Sequence, residues 1–124
     1  MLDELGINGF VMEQDKKYLK LGTDAMLLSE FVNLRKNSKV CDLGCGTGAV
    51  SILLAARHDG IILHGVEIVE GAAKHCEKNA AHNNIEDRLF VHNIDLKNVK
   101  DEFAAGSFDA VVSNPPFMQA DGGL

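Results

Sequence analysis

Three glycines at alternate positions, Gly44, Gly46 and Gly48, separate a short apolar run from an amphipathic one. The apolar run Lys39–Leu43 reads as a buried strand. Residues 47–57 read as a helix, because Val50, Leu53 and Leu54 recur at helical spacing and Arg57 suits the negative end of the dipole. Glycine permits positive φ and puts no Cβ between the backbone and a ligand. Free N–H groups at the helix start favour an anion or carboxylate. A strand, a glycine turn and a helix in that order belong to wound α/β architectures.

The rest of the chain continues the pattern. Residues 61–68 read as a second strand. Residues 71–83 read as a second helix, with the small side chains of Ala73, Cys76 and Ala80 on one face and Lys74, Glu77 and Lys78 off it. Residues 88–93 give a third strand, 97–105 a helix or irregular crossover, and 108–113 a fourth strand. The alternation predicts a Rossmann-like α/β fold: a mostly parallel sheet, helices on both faces, and right-handed crossovers. The start of the chain differs. Residues 10–21 alternate partially around Lys16, Lys17 and Lys20, which predicts a hairpin or an extended arm. Residues 23–34 read as a helix with Thr23 as N-cap and Asp24 at the positive end of the dipole. Its expected buried stripe is Met26, Leu27, Phe31 and Leu34, packed on the sheet at its C-terminal edge.

Composition narrows the function classes. With 46% apolar and 24% charged residues in 124, the chain is globular and not disordered. No apolar run approaches the roughly 18 residues of a membrane helix. The opening MLDELGINGF lacks the layout of a secretory leader. Cys41, Cys45 and Cys76 are odd in number, which predicts reduced thiols and a cytoplasmic protein. A net charge of −6 excludes gripping nucleic acid by bulk charge. His58, His64, His75, His82 and His92 show no ligand-pair spacing, and His75 and His82 read as satisfied surface. Cys41 and Cys45 lack the second pair of a zinc site, so no metal is expected.

Two motifs carry chemistry. In the first, Glu67 ends the second strand 19 positions after Gly48, near the spacing of about 20 at which a carboxylate accepts ribose hydroxyls. Gly44-x-Gly46-x-x-Ala49 also satisfies the loose dinucleotide pattern. Asp42, however, precedes the first glycine. Its charge would repel a pyrophosphate and suit a ligand with a cationic end, such as the ammonium of S-adenosylmethionine. The second motif is Ser113-Asn114-Pro115-Pro116-Phe117 at the end of the fourth strand. Proline has no N–H and a fixed φ, so the turn is stiff and rich in acceptors. Asn114 and the Pro115 carbonyl could hold both hydrogens of a planar –NH2 group, and Phe117 could stack on its ring. Such an amine is a poor nucleophile, because its lone pair is delocalised. Held this way, it is pushed towards sp3 and aimed at a sulfonium methyl, with catalysis by proximity and orientation. Asn114 cannot take a proton, so its role is positioning.

Taken together, DLGCGTG, Glu67, Asp95 after the third strand and SNPPF resemble the class I S-adenosylmethionine-dependent amino-methyltransferases. The run over residues 14–30, QDKKYLKLGTDAMLLSE, is similar to the bacterial tRNA (adenine-N6)-methyltransferases of valine tRNA, in the methyltransferase small-domain group. The resemblance implies that Asp42, Gly44, Gly46 and Gly48 form a cofactor loop and that Glu67 binds the ribose. It also implies that Asp95 approaches the cofactor's adenine, that Asn114, Pro115, Pro116 and Phe117 hold the target base, with Asn114 also in the cofactor-binding set, and that Thr23 and Asp24 lie near the cofactor. Residues 1–37 then read as an arm and helix, and 38–124 as the N-terminal half of a cofactor-binding methyltransferase domain. Members of that group continue with further strands. Here the fourth strand becomes an apolar edge carrying Val111 and Val112, which predicts a fragment or self-association through that strand.

The expected reaction is methyl transfer to adenine N6 of a tRNA. Guanine N2 of ribosomal RNA and a protein glutamine amide share the same –NH2 chemistry. A cofactor-binding module without activity and an NAD-dependent oxidoreductase are the readings from other classes.

Overall fold

Parallel pairing of four short strands organises the chain. The computed structural model describes residues 2–13 and 23–113. Asn114, Pro115, Pro116, Phe117, Lys16, Lys17 and Lys20, and the side chains of Thr23 and Asp24, lie outside the described residues. The elements in chain order are β1 (Leu2–Glu4), β2 (Val11–Glu13), α1 (Thr23–Phe31), β3 (Lys39–Leu43), α2 (Ala49–Arg57), β4 (Ile62–Val66), α3 (Glu70–His82) and β5 (Leu89–His92). A 3-10 turn (Leu96–Asn98), α4 (Val99–Glu102) and β6 (Ala110–Ser113) follow. The main sheet has the order β5-β4-β3-β6. All three of its pairings are parallel. The chain steps outward from β3 to β4 and β5, then crosses back to the other side of β3. This reversal makes a topological switch point, where open α/β sheets bind ligands beyond the strands' C-terminal ends.

One sheet face carries the core. Val40, Leu63, Leu89 and Val112 point to the side where Leu53 and Leu54 of α2 and Cys76 and Ala80 of α3 pack. The small face expected of α3 is buried as expected, with Ala73, Cys76 and Ala80 at 3% exposure or less. The opposite face is aromatic. His64 stacks on Phe90 and His92, and Phe103 and Phe108 meet His64 edge-on. His64 Nδ1 and His92 Nε2 stand 2.9 Å apart, so one ring donates and the other accepts. Burial holds the His64 imidazolium below its usual range, helped by the charges of His92 and Lys39.

Several expectations shift in detail. The first sheet helix begins at Ala49, not at 47, because Gly48 sits at φ +101 and cannot be helical. The second strand stops at Val66, because the chain turns at Glu67 to bond with neighbouring amides. The N-terminal hairpin pairs β1 with β2 and so starts at Leu2, well before residue 10. The expected stripe of residues 23–34 holds at Met26 and Leu34, which pack half-buried against the core, and fails at Leu27 and Phe31. Leu27 and Phe31 are 47% and 82% exposed, whereas Ala25 and Ser29 are buried. The two small residues, four apart, let α1 lie close against α2 rather than on the edge of the sheet. There the Arg57 Nε donates to Ser29 Oγ at 3.2 Å.

Gly65, in the middle of β4, has a packing reason. A Cβ there would meet Cys45 Sγ at 2.7 Å and Cys45 Cβ at 3.1 Å. Gly65→Ala is therefore expected to cost about 1–3 kcal/mol in urea unfolding, the range for overpacking. Adding Cys45→Ala removes the colliding sulfur and should recover most of that loss. A double variant no more stable than the single would place the strain elsewhere.

Candidate functional site

The glycine turn is a backbone structure fixed from several sides. Gly44, Gly46 and Gly48 all have positive φ, at +70, +57 and +101. Gly44 N–H and Cys45 N–H both donate to Val66 O, at 2.8 and 3.0 Å, which ties the turn to the end of β4. Gly46 N–H donates to Glu67 Oε1 at 2.8 Å. A Cβ built on Gly44 or Gly46 would meet no atom within 4 Å, so this side of the turn is open. Gly48 faces inward instead, and its Cβ would meet Cys76 Sγ at 2.8 Å. The open side is a bare-backbone cradle of the kind a nucleoside cofactor requires. The residues present therefore fit one.

Glu67 stands across this cradle. Its Oε2 accepts Val69 N–H at 3.0 Å while Oε1 holds Gly46. Each carboxylate oxygen keeps a further lone pair for a hydroxyl. Next to it Ile68 and Val69 are 58% and 49% exposed, an apolar rim beside an acidic group. Asn93, which the sequence reading passed over, donates from Nδ2 to Glu67 O and Ile68 O at 2.8 and 3.1 Å, and so fixes this rim to the end of β5. Asp95 caps the 3-10 turn, its Oδ1 accepting Lys97 N–H at 3.1 Å.

Asp42 occupies a different place from the one its sequence position suggests. It is 1% exposed and lies beneath the turn, where Ser51 Oγ donates to its Oδ2 at 2.6 Å. Burial pushes its carboxyl up to about 6, against the Ser51 hydrogen bonds that lower it, and the charge of Glu67 adds to the rise. The neighbouring thiols are raised too. Burial takes Cys41 up to about 11. The contact with Cys76, 4.0 Å between sulfurs, raises Cys45. Neither thiol is a nucleophile at neutral pH. His75 is buried and bonded to Glu13 O, not a satisfied surface residue. Among the described residues no group of three His, Cys, Asp or Glu side chains could hold a metal ion.

The strand register decides how the two sequence motifs relate. β3 and β6 are adjacent and parallel, with Leu43 opposite Ser113. Ser113 Oγ also donates to Leu43 O at 3.2 Å. Leu43, which opens the glycine turn, and Ser113, the last described residue, therefore lie at the same end of the sheet, one strand spacing of about 4.8 Å apart.

The model of the methyltransferase small domain matches residues 16–122. The chain belongs to that family. Within it, the chain is 32% identical over 110 residues to a tRNA1(Val) (adenine(37)-N6)-methyltransferase of Yersinia enterocolitica, covering 88% of this chain and 43% of the relative. The Salmonella enteritidis enzyme of the same name is 31% identical over 118 residues, covering 90% and 48%. The chain thus spans less than half the length of these curated relatives. In fold, the small domain matches the delta-N METTL16 methyltransferase domain with a TM-score of 0.75 at 21% identity, covering 94% of this chain and 56% of that one.

Asp42 generates a stability test. Its carboxyl binds a proton more tightly in the fold than in the unfolded chain. The stabilisation is fully present below the ordinary 3.8 and is lost as pH rises through about 6. Above that, ionised Asp42 costs about 3 kcal/mol. Asp42→Asn is neutral and can still accept the Ser51 bond. By urea unfolding it should exceed the parent by roughly 1–3 kcal/mol at pH 8 and by under about 1 kcal/mol at pH 4. An equal gain at both pH values would refute the raised carboxyl.

Proposed function

We propose that this chain binds S-adenosylmethionine at the glycine turn and transfers its methyl group to an exocyclic amine, adenine N6 of a tRNA. The observation that carries this reading is the parallel register of Leu43 with Ser113, which starts the two motifs at one end of the sheet. Names of the relatives at 31–32% identity support the nucleotide and the tRNA. Among the described residues no helix is long and apolar enough to cross a membrane, and the tRNA-modifying names of the relatives support a cytoplasmic location.

In this reading the bound cofactor supplies an electrophilic methyl on a sulfonium. Gly44 and Gly46 admit its backbone-hugging portion, because no side chain fills that side of the turn. Glu67 accepts the ribose hydroxyls with its remaining lone pairs. Ile68 offers an apolar surface to the adenine, and Asp95 accepts from its amine. Asp42 acts through the field beneath the turn, where its ionised form attracts the ammonium. Asn114 and the Pro115 carbonyl hold the two hydrogens of the target amine, Pro116 stiffens the turn, and Phe117 stacks on the base. As the N–C bond forms, the C–S bond breaks and S-adenosylhomocysteine leaves; the methylated nitrogen is then acidic and loses its proton to water, so no general base is needed. Residues 38–124 carry the cofactor half of the domain, and 1–37 its arm and helix.

Labelled methyl transfer to tRNA, ribosomal RNA and protein tests the reading. N6-methyladenosine in digested tRNA is the expected product. Label in guanine N2 or glutamine would move the substrate and leave the chemistry. Glu67→Ala should raise the S-adenosylhomocysteine dissociation constant about tenfold. Asn114→Ala should lower kcat by about 100-fold, because the target amine loses its orientation. Stabilisation by NADH and not by S-adenosylhomocysteine would overturn the cofactor.

The edge strand supports a further element of the reading, self-association. Val111 on β6 is 59% exposed, while Val112 is buried. Among the described residues β6 is an edge strand, and such an edge offers its unpaired backbone groups to another strand. Light scattering should show a dimer that Val111→Lys converts to monomer. A parent protein monomeric across all concentrations would exclude it.

A further inference from the structure

The outer edge of β2 pairs with two asparagine side chains of α3 and not with a strand. Asn83 Oδ1 accepts Val11 N–H, and Asn83 Nδ2 donates to Val11 O, both at 2.8 Å. Two residues further along the arm, and one turn earlier in α3, Asn79 Oδ1 accepts Glu13 N–H at 2.7 Å and Nδ2 donates to Glu13 O at 3.2 Å. The spacing explains the fit. Residues four apart on a helix are displaced by about 6 Å along its axis. Residues two apart on a strand are displaced by about 6.6 Å. Two carboxamides at i and i+4 therefore match the outward-facing peptide groups of an extended strand, as another strand would.

Asn79 does more than seat the arm. Its second Nδ2 hydrogen goes to Thr47 O at 2.9 Å, inside the glycine turn. Asn79 is fully buried, and its Oδ1 and both Nδ2 hydrogens are used on two segments at once, the arm and the turn. The Glu13 side chain reinforces the same junction. It accepts from His82 at 3.0 Å and Lys78 at 3.4 Å, while His75 Nε2 meets Glu13 O at 2.9 Å.

We propose that Asn79 is a positioning residue that couples the seating of the N-terminal arm to the geometry of the glycine turn, so that the docked arm raises affinity for the cofactor. The ligand part of this inference rests on the cofactor reading above. Glu67 holds Gly46 from one side, and Asn79 holds Thr47 from the other. Releasing either lets the turn between them sample conformations that do not bind, which lowers affinity in proportion to the competent fraction. Asn83 touches the arm and its own helix, not the turn, so it acts on the turn only through Asn79.

Calorimetry with S-adenosylhomocysteine on the full chain and three variants tests this. Asn79→Ala should weaken binding about tenfold and Asn83→Ala about threefold, with the double variant no weaker than Asn79→Ala alone. Effects that multiply, or binding by Asn79→Ala within twofold of the parent, would overturn the coupling. Amide hydrogen exchange of the ligand-free proteins gives a second readout. Gly46 and Gly48 should exchange faster in Asn79→Ala and in Asn79→Asp, which keeps the Glu13 acceptor and loses both donors, while core amides of β3 and β4 stay protected. Unchanged exchange at the two glycines would refute the inference, and uniform acceleration would reduce Asn79 to a general stabiliser. If the unmodified chain binds no S-adenosylhomocysteine, the cofactor reading fails, and the exchange data still decide the role of Asn79.

Discussion

A single carboxylate holds the C-terminal end of this sheet in shape. Glu67 leaves β4 and immediately accepts the amides of Gly46 and Val69, so it bridges the turn after β3 to the start of α3. Without that acceptor, Gly46 N–H would have no partner where the backbone lies bare. The turn's other tethers, Val66 O beneath and Asn79 beside, complete a frame in which a loop of three glycines has little freedom left. Flexibility is what glycine supplies in an unfolded chain. Here it is used for positive φ and for an open approach, and hydrogen bonds remove the rest.

Much of this was legible in the sequence. The strands, the small-residue face of α3, the glycine turn and Glu67 follow from periodicity and spacing, because each is local or repeats at a fixed interval. Helix α1 was not, since its stripe is set by its neighbour. Leu27 and Phe31 look like core residues, but α2 meets α1 through Ala25 and Ser29. The His64–His92 contact also escaped a reading by sequence spacing, because register alone brings strands 28 residues apart together. Asn79 and Asn83 show no signal as single residues. Only their i, i+4 spacing on a helix packed beside an extended arm gives them a role.

The position of Asp42 separates two requirements that the sequence ran together. Its carboxylate lies under the turn and in the apolar interior, so it costs stability whenever it is ionised. A purely structural residue at this place would be apolar or an amide. Keeping an acid there is consistent with a ligand whose positive end recovers that cost, and natural proteins commonly hold such strained groups at their sites.

The imidazole pair on the other face carries the opposite electrostatic sign. His64 resists protonation among Phe90, Phe103 and Phe108, so that layer loses free energy as the medium acidifies, while the acid beneath the turn gains it. Two layers separated by one sheet thus titrate against each other.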